Sequence, residues 1–336
     1  MTRLSITTAS LAALSVLWIA SAYVATPSQA DLLFRASTLI VMGISWNLMA
    51  NAGLISLAHA SFFGIGGYVA VIVARSFGFS LLAALPLSIV GGALLGVFLA
   101  IATGRLSGLF FAIATLAVSE GLRVIALMVP ALTGGAQGLD MPQPLRYSVH
   151  VMSVNAALLA AVSAAISLFL SRSKFHYACR AMRSGEGAAQ MLGLNPRRYR
   201  LQVLAIAGGL ASCVGGLSAW YAGFLDPRIA FGLNLTIVAQ IGPILGGLYT
   251  VAGPVVGALV LTGISEATRV VFNSNEAFGQ LLYGAILVVG ILLMPQGICG
   301  AWSGVRRRYR LSRPGLKLGA RSRSSVVQGH ATGEES

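Results

Sequence analysis

Residues 172–200 read RSKFHYACRAMRSGEGAAQMLGLNPRRYR, a polar stretch that lies between two long apolar runs. It carries seven lysines and arginines and a single acidic residue, Glu186. Short basic loops of membrane proteins are retained on the cytoplasmic side. The stretch is therefore predicted to lie in water on the cytoplasmic face, where a soluble partner can reach it.

The composition around this stretch is that of a membrane protein. Of 336 residues, 56% are hydrophobic, only 10% are charged and 40 are glycine, which leaves too little polar surface for a soluble globule. An all-α, polytopic transmembrane bundle is predicted. The net charge is +14, but 15 of the 23 lysines and arginines fall within 172–200 and 306–323. Such clustering fits membrane topology and anionic lipid headgroups, and it argues against a nucleic-acid partner.

The apolar runs can be counted, because a helix needs about 20 residues to cross the hydrocarbon core. We predict about 8–10 membrane segments from ten runs: 8–24, 32–53, 56–74, 81–103, 109–130, 149–170, 201–224, 235–249, 251–272 and 278–295. The first run is interpreted as a retained helix, with a cleaved secretory signal as the alternative. The run 235–249 is short and bounded by glycines, so it is either re-entrant or broken.

Three regions follow from these runs. Residues 1–30 are predicted to form an N-terminal membrane helix and a short outer loop, and residues 31–300 a transmembrane domain with the cytoplasmic loop 172–200. Residues 301–336 are predicted to be a basic, disordered cytoplasmic tail. With Arg3 inside, ten crossings place both termini and both basic regions in the cytoplasm.

Glycine-dense stretches at 53–68 and 241–258 are the first candidates for the lining of a pathway, because glycine lets helices approach and break. The other candidates are two acid–base pairs, Glu120 with Arg123 and Glu266 with Arg269, whose members are three positions apart in the sequence. Each pair is either a self-neutralised ion pair between helices or a gate near the outer mouth. The candidate pathway or gate residues are Asn51, Ser56, His59, Phe62, Thr115, Glu120, Arg123, Glu266 and Arg269. His59 alternatively forms a hydrogen bond with a neighbouring helix.

Motifs of enzymes are missing from the sequence. It has no Gly-x-x-x-x-Gly-Lys-Ser/Thr loop, and Lys174 and Lys317 are its only lysines. It has no Gly-x-Ser-x-Gly and no His-Glu-x-x-His motif. Cys179, Cys213 and Cys299 lack the spacing of a metal site or a disulfide framework. The chain is therefore expected to be no enzyme and to bind neither a metal nor another cofactor.

The centre of the polar stretch predicts a short amphipathic helix. Alanine, methionine, glutamine and leucine favour a helix here, Gly193 can cap it, and Pro196 prevents its simple continuation. The alternative is an anchoring loop whose arginines contact lipid phosphates.

This segment resembles the coupling loop of bacterial ABC importer permeases. The residues that carry the likeness are Arg180, Ala181, Arg183, Glu186, Ala188, Ala189 and Gly193. More specifically, the chain resembles the second permease subunit of the high-affinity branched-chain amino acid importers. That likeness includes GLISL at 53–57, GLFFAIATLAVSE at 108–120, TGG at 133–135 and MPQG at 294–297. The chain departs from the pattern at Cys179, His59, Gly185 and Gly187.

The resemblance implies the permease subunit of a binding-protein-dependent importer in the bacterial inner membrane. Such a chain forms half of a pathway with a related second permease. It couples through residues 180–193 to two cytoplasmic ATPases, which use the ATP, and it receives solute from a periplasmic binding protein. Branched-chain or other small amino acids are the implied solutes, with urea or amides, sugars and nucleosides as alternatives. An ATP-independent secondary transporter or channel is the alternative outside this class.

Overall fold

A computed structural model describes residues 18–141, 147–271, 281, 284, 285, 288, 289, 292 and 297–300. Within these residues, eight helices are long and apolar enough to cross a membrane, which confirms the predicted all-α, polytopic class. Most of the first predicted run (8–24), most of the last (278–295) and the whole tail (301–336) lie outside the described residues. Residues 18–24 of the first run are helical.

The helices follow one another with short connections. In chain order they are α1 (Pro27–Asn51), α2 (His59–Phe77), α3 (Leu81–Ala102), α4 (Gly108–Met128), α5 (Pro130–Thr133), α6 (Val149–Arg172), α7 (Lys174–Ser184), α8 (Glu186–Met191), α9 (Pro196–Ala222), α10 (Pro227–Ala230), α11 (Leu233–Gly247) and α12 (Gly253–Val271). Two short strands are β1 (Leu139–Asp140) and β2 (Phe224–Leu225). Helix α1 begins earlier than its apolar run, because Pro27 can occupy a first turn and the Thr26 N–H is capped by Gln29 Oε1 at 3.0 Å.

The bundle has two distinct ends. One end, here called the strand end, carries the antiparallel pair of β1 and β2, in which Leu139 lies opposite Leu225. The other, here called the loop end, carries the polar segment: the Arg183 guanidinium lies 3.9 Å from the centre of the Tyr249 ring, and Arg200 donates to the Thr103 carbonyl oxygen. The long helices run between these two ends, as membrane-spanning segments should.

The segment that the sequence left as re-entrant or broken is a broken crossing. It begins directly after β2 at the strand end and ends at Tyr249, against the polar segment at the loop end. The span of 21 residues, Pro227–Gly247, consists of α10 and α11, which are separated at residues 231–232. The short apolar run was therefore only the second part of a full span.

Helices α1 and α9 form the centre of the bundle. In their most apolar windows 72% and 78% of the residues are buried, against 28% in α4 and α6. Helix α9 packs on α2 and α3 with backbones in contact: a Cβ added to Gly66 would lie 1.9 Å from the Ser212 carbonyl oxygen, and one added to Gly92 would lie 2.3 Å from that of Gly208. Small residues at such crossings are typical of membrane helix packing.

The polar segment contains two helices rather than the single predicted one. Helices α7 and α8 are separated at Gly185, whose φ of 144° is a conformation that residues with a Cβ rarely adopt. Gly193 lies just beyond α8 with φ of 73°. Helix α9 then begins at Pro196, where Asn195 Oδ1 accepts the Arg198 N–H at 3.3 Å.

Candidate functional site

An irregular connection at residues 52–58 lies within the bundle between α1 and α2 and is mostly buried, with one side chain exposed. The Leu57 N–H donates to Thr115 Oγ1 at 3.0 Å, and the Ala60 N–H donates to Thr236 Oγ1 at 2.9 Å. Thr236 is eleven residues from the loop end of α11, or about 16 Å at 1.5 Å per residue. Helix α2 therefore begins inside the membrane-spanning bundle, where each free backbone group needs a partner.

His59 is the first residue of α2 and is fully buried beside this connection. Its Nε2 lies 3.0 Å from Ser45 Oγ, and the Ser45 hydroxyl donates to the Ala207 carbonyl oxygen at 2.7 Å. Since the serine proton is already used, Nε2 must carry the imidazole proton and donate it. Within the described residues, Nδ1 has no hydrogen-bond partner. The Phe62 ring meets the imidazole edge-on, at 5.8 Å between centres.

Asparagines of α1 hold the connection between α11 and α12 at the loop end. Asn47 Oδ1 accepts the Tyr249 N–H at 3.0 Å, and Asn47 Nδ2 donates to the Thr250 carbonyl oxygen at 2.9 Å. Tyr249 is thereby held at φ of 66°, which a side chain normally disfavours. Asn51 Nδ2 donates to the Asn47 carbonyl oxygen, and Asn51 faces a cavity of about 30 Å³ that also borders His176. Such a cavity has room for one water molecule.

The structure thus brings five of the predicted pathway residues to one region around 52–58: Asn51, Ser56, His59, Phe62 and Thr115. The sequence reasoning missed Asn47 and Thr236. A threonine at the start of the apolar run 235–249 was a signal for Thr236, but its partner is 176 positions away in the sequence.

The two predicted acid–base pairs form, but away from this region. Arg123 Nη2 lies 2.7 Å from Glu120 Oε2, and Arg269 Nη2 lies 2.6 Å from Glu266 Oε1. A further pair was missed: Arg35 Nε lies 2.9 Å from Asp31 Oδ2 on α1, and Asp31 also accepts the Tyr221 hydroxyl. Among the described residues, no group of three metal-ligating side chains lies close together.

Three of the residues predicted to couple to an ATPase make contacts within the chain. Arg183 stacks on Tyr249, Glu186 Oε1 lies 3.1 Å from Arg200 Nη2, and Ala189 is fully buried. A Cβ on Gly53 would lie 3.0 Å from the Arg183 Cα, so α7 rests directly on the end of α1. These contacts join the polar segment to the membrane-spanning bundle.

The other residues predicted to couple to an ATPase lie nearer the surface. Arg180, Ala188 and Gly193 are exposed, and Ala181 is half-buried. Two large apolar side chains that the sequence reasoning missed are among the most exposed: Met191 at 92% and Leu192 at 71%. Together with Ala188 they form an apolar surface, here called the exposed tip. The exposed bases of the same segment are Arg172, Lys174, Arg180, Arg197 and Arg198.

The partial burial of α7 shifts the pKa values of two of its side chains. The pKa of His176 is lowered by desolvation and by the nearby Arg180 and Arg183 guanidinium groups, so the imidazole is neutral near pH 7. Burial raises the pKa of the Cys179 thiol to about 12, so it stays protonated and unreactive.

Eight membrane-length helices around a polar, irregular connection define the class of polytopic α-helical membrane proteins. Residues 28–291 match the family described as "Branched-chain amino acid transport system / permease component". The chain belongs to this family, whose members are multi-pass membrane permease subunits of ABC transporters.

Individual relatives point the same way. The chain is 26% identical over 339 residues to the high-affinity branched-chain amino acid transport system permease protein LivM of Escherichia coli, covering 92% of this chain and 76% of LivM. It is 28% identical over 186 residues to LivH of the same organism, covering 55% and 58%. It is 26% identical over 274 residues to a probable LivH of Methanocaldococcus jannaschii, covering 75% and 85%. No solved structure matches the chain significantly.

Proposed function

We propose that this chain is the transmembrane permease subunit of a binding-protein-dependent ABC importer for branched-chain or other small amino acids. The chain forms half of the pathway beside a related second permease in the bacterial inner membrane. Relatives named LivM and LivH, two kinds of permease protein, support such a pair. A periplasmic binding protein delivers the solute, two cytoplasmic ATPases use ATP, and this chain itself binds no cofactor.

The observation that carries the proposal is the exposed tip at the loop end. Met191 and Leu192 are exposed on a polar segment outside the candidate spans, where apolar side chains of this size mark an interaction surface. Since the sequence has no phosphate-binding loop, the ATP that drives import is used by another subunit. The exposed tip and the exposed bases of the same segment fit an apolar groove and acidic side chains on an ATPase.

Sidedness follows from this assignment. The loop end is cytoplasmic, because basic loops are retained there, and the strand end is periplasmic. Solute then enters at the strand end, passes the polar region around 52–58 and leaves at the loop end. The pairs Glu120–Arg123 and Glu266–Arg269 lie toward the strand end of α4 and α12, where they border the outer mouth.

The experiment is purification of the importer through a tag on the second permease. Replacing Met191 and Leu192 by glutamate should remove the ATPases from the purified complex and keep this chain in it. Arg75→Glu, at the exposed strand end of α2, is the matched control and should keep the ATPases. Full ATPase retention by the Met191/Leu192 variant would contradict the docking assignment.

A second variant tests coupling rather than docking. Glu186→Lys places a cation against buried Arg200 and should abolish solute-stimulated ATP hydrolysis while membrane insertion persists. Unchanged solute-stimulated ATP hydrolysis in proteoliposomes would contradict the assignment of Glu186 to coupling.

A further inference from the structure

Arg200 is a buried cation whose bonds join three separate elements. Its side chain is 3% exposed. Nη1 donates to the Thr103 carbonyl oxygen at 2.6 Å, and Nη2 donates to that of Leu106 at 2.7 Å. The same Nη2 lies 3.1 Å from Glu186 Oε1. A charge buried this deeply is tolerated only with such partners.

The partners of Arg200 belong to separate elements of the chain. Glu186 is the first residue of α8, and the two carbonyl groups lie in the turn between α3 and α4. Helix α3 ends at Ala102, so its C-terminal carbonyl groups carry the negative end of the helix dipole and attract the guanidinium. The planar guanidinium also lies 5.6 Å from the centre of the Phe111 ring on α4. One rigid group therefore touches α8, the turn and α4.

Helix α4 connects this turn to the irregular connection at 52–58. In its most apolar window only 28% of α4 is buried, whereas α9 is packed against α3 through glycines with little room to shift. Thr115 on α4 holds the Leu57 N–H. A displacement of the turn therefore reaches Leu57 through a single helix.

We infer that Arg200 is a positioning residue that transmits movement of α8, received through Glu186, to the α3–α4 turn and, through α4, to residues 52–58. The inference rests on the proposed function, since α8 moves only if an ATPase engages it. It is separate from the contact of Arg183 with Tyr249, which joins α7 to the α11–α12 connection and α1. Arg183 and Arg200 thus join the polar segment to two different parts of the bundle.

The functional test is a double-mutant cycle in the complete importer. Arg200→Met and Glu186→Gln should each lower solute-stimulated ATP hydrolysis roughly tenfold. An effect of this size lies in the upper part of the range by which single mutations change the coupling between two sites. Solute-stimulated ATP hydrolysis in the double variant should be no lower than in the more impaired single variant, because both substitutions break the same Glu186–Arg200 pair. ATPase co-purification should persist, and Arg75→Met should behave as the wild type. Glu186→Gln leaves both carbonyl bonds of Arg200 in place, so it tests the pair in a folded chain.

The distance between α8 and the α3–α4 turn is a second readout, which a general loss of activity would not change. Spin labels at the exposed residues Gly187 and Arg105, in a cysteine-free background, report the separation of α8 and the turn. One narrow distribution is expected with and without ATP, and Arg200→Met should broaden it. Arg200→Lys, which cannot reach all three partners at once, should give an intermediate width.

The outcomes separate the inference from the proposed function. Independent, multiplicative losses in the double variant, or an unchanged distance distribution in Arg200→Met, would overturn the role of Arg200. A wild-type complex that retains no ATPase would instead overturn the proposed function. The distance in this chain alone, in nanodiscs, would then still show whether Arg200 holds α8 to the turn.

Discussion

Replacing Thr236 by valine tests how the irregular connection is held inside the bundle. Thr236 and Ala60 are fully buried, and the Ala60 N–H donates to Thr236 Oγ1 at 2.9 Å. The Ala60 N–H lies in the first turn of α2, where helical N–H groups lack partners within the helix. Valine keeps the shape of threonine but leaves that N–H unpaired, which costs about 1 to 3 kcal/mol.

The cost should appear as a lower melting temperature of the purified chain, followed by tryptophan fluorescence. At about 2 to 4 °C per kcal/mol, Thr236→Val should lower Tm by about 2 to 12 °C. Adding Thr115→Val removes the acceptor of the Leu57 N–H as well and should roughly double the effect. Thr262→Val is the control, because that hydroxyl only donates to the Ala258 carbonyl oxygen of its own helix. If Thr236→Val and Thr262→Val both have the Tm of the wild type, the reasoning is refuted.

Three further predictions concern packing, pH and the loop end. Gly66→Ala should destabilise by about 1 to 3 kcal/mol, because its Cβ would overlap the Ser212 carbonyl group, whereas Gly121→Ala has open space and should melt like the wild type. The His176 pKa is lowered in the folded chain, so the stability of the chain should fall as the pH drops below about 6.5, the pKa of histidine in the unfolded chain. In His176→Gln, Tm should decrease less over the same drop in pH. Asn47→Leu leaves the Tyr249 N–H and the Thr250 carbonyl without their partner, so hydrogen exchange at 248–252 should become faster, with no change at 223–232.

Local patterns in the sequence predicted the features that depend on local physics. Apolar length located the spans, and three-residue spacing predicted the Glu120–Arg123 and Glu266–Arg269 pairs, because both need only one helix. Gly185 was already noted as a departure from the family pattern, and the structure shows that it divides the polar segment into two helices where one was predicted. The broken span at 227–247 was left open, because its first turn lies outside the apolar run.

Contacts between distant parts of the chain could not be predicted in this way. Thr236 and Ala60, or Arg200 and Thr103, meet only because of how the helices pack, and no periodicity encodes such pairs. Arg200 was included in the polar segment as one more basic residue, although it lies in the first turns of α9 and is buried. The direction in which Glu186 points, into the chain rather than away from it, likewise depends on Arg200.

The most direct test of the proposed importer is uptake of a labelled branched-chain amino acid by proteoliposomes. These contain this chain, the related second permease, both ATPases and the binding protein. We predict uptake that requires the binding protein and ATP on the loop-end side, and that is lost when the ATPases cannot hydrolyse ATP. Uptake driven by an ion gradient without ATP would contradict the account and favour a secondary transporter.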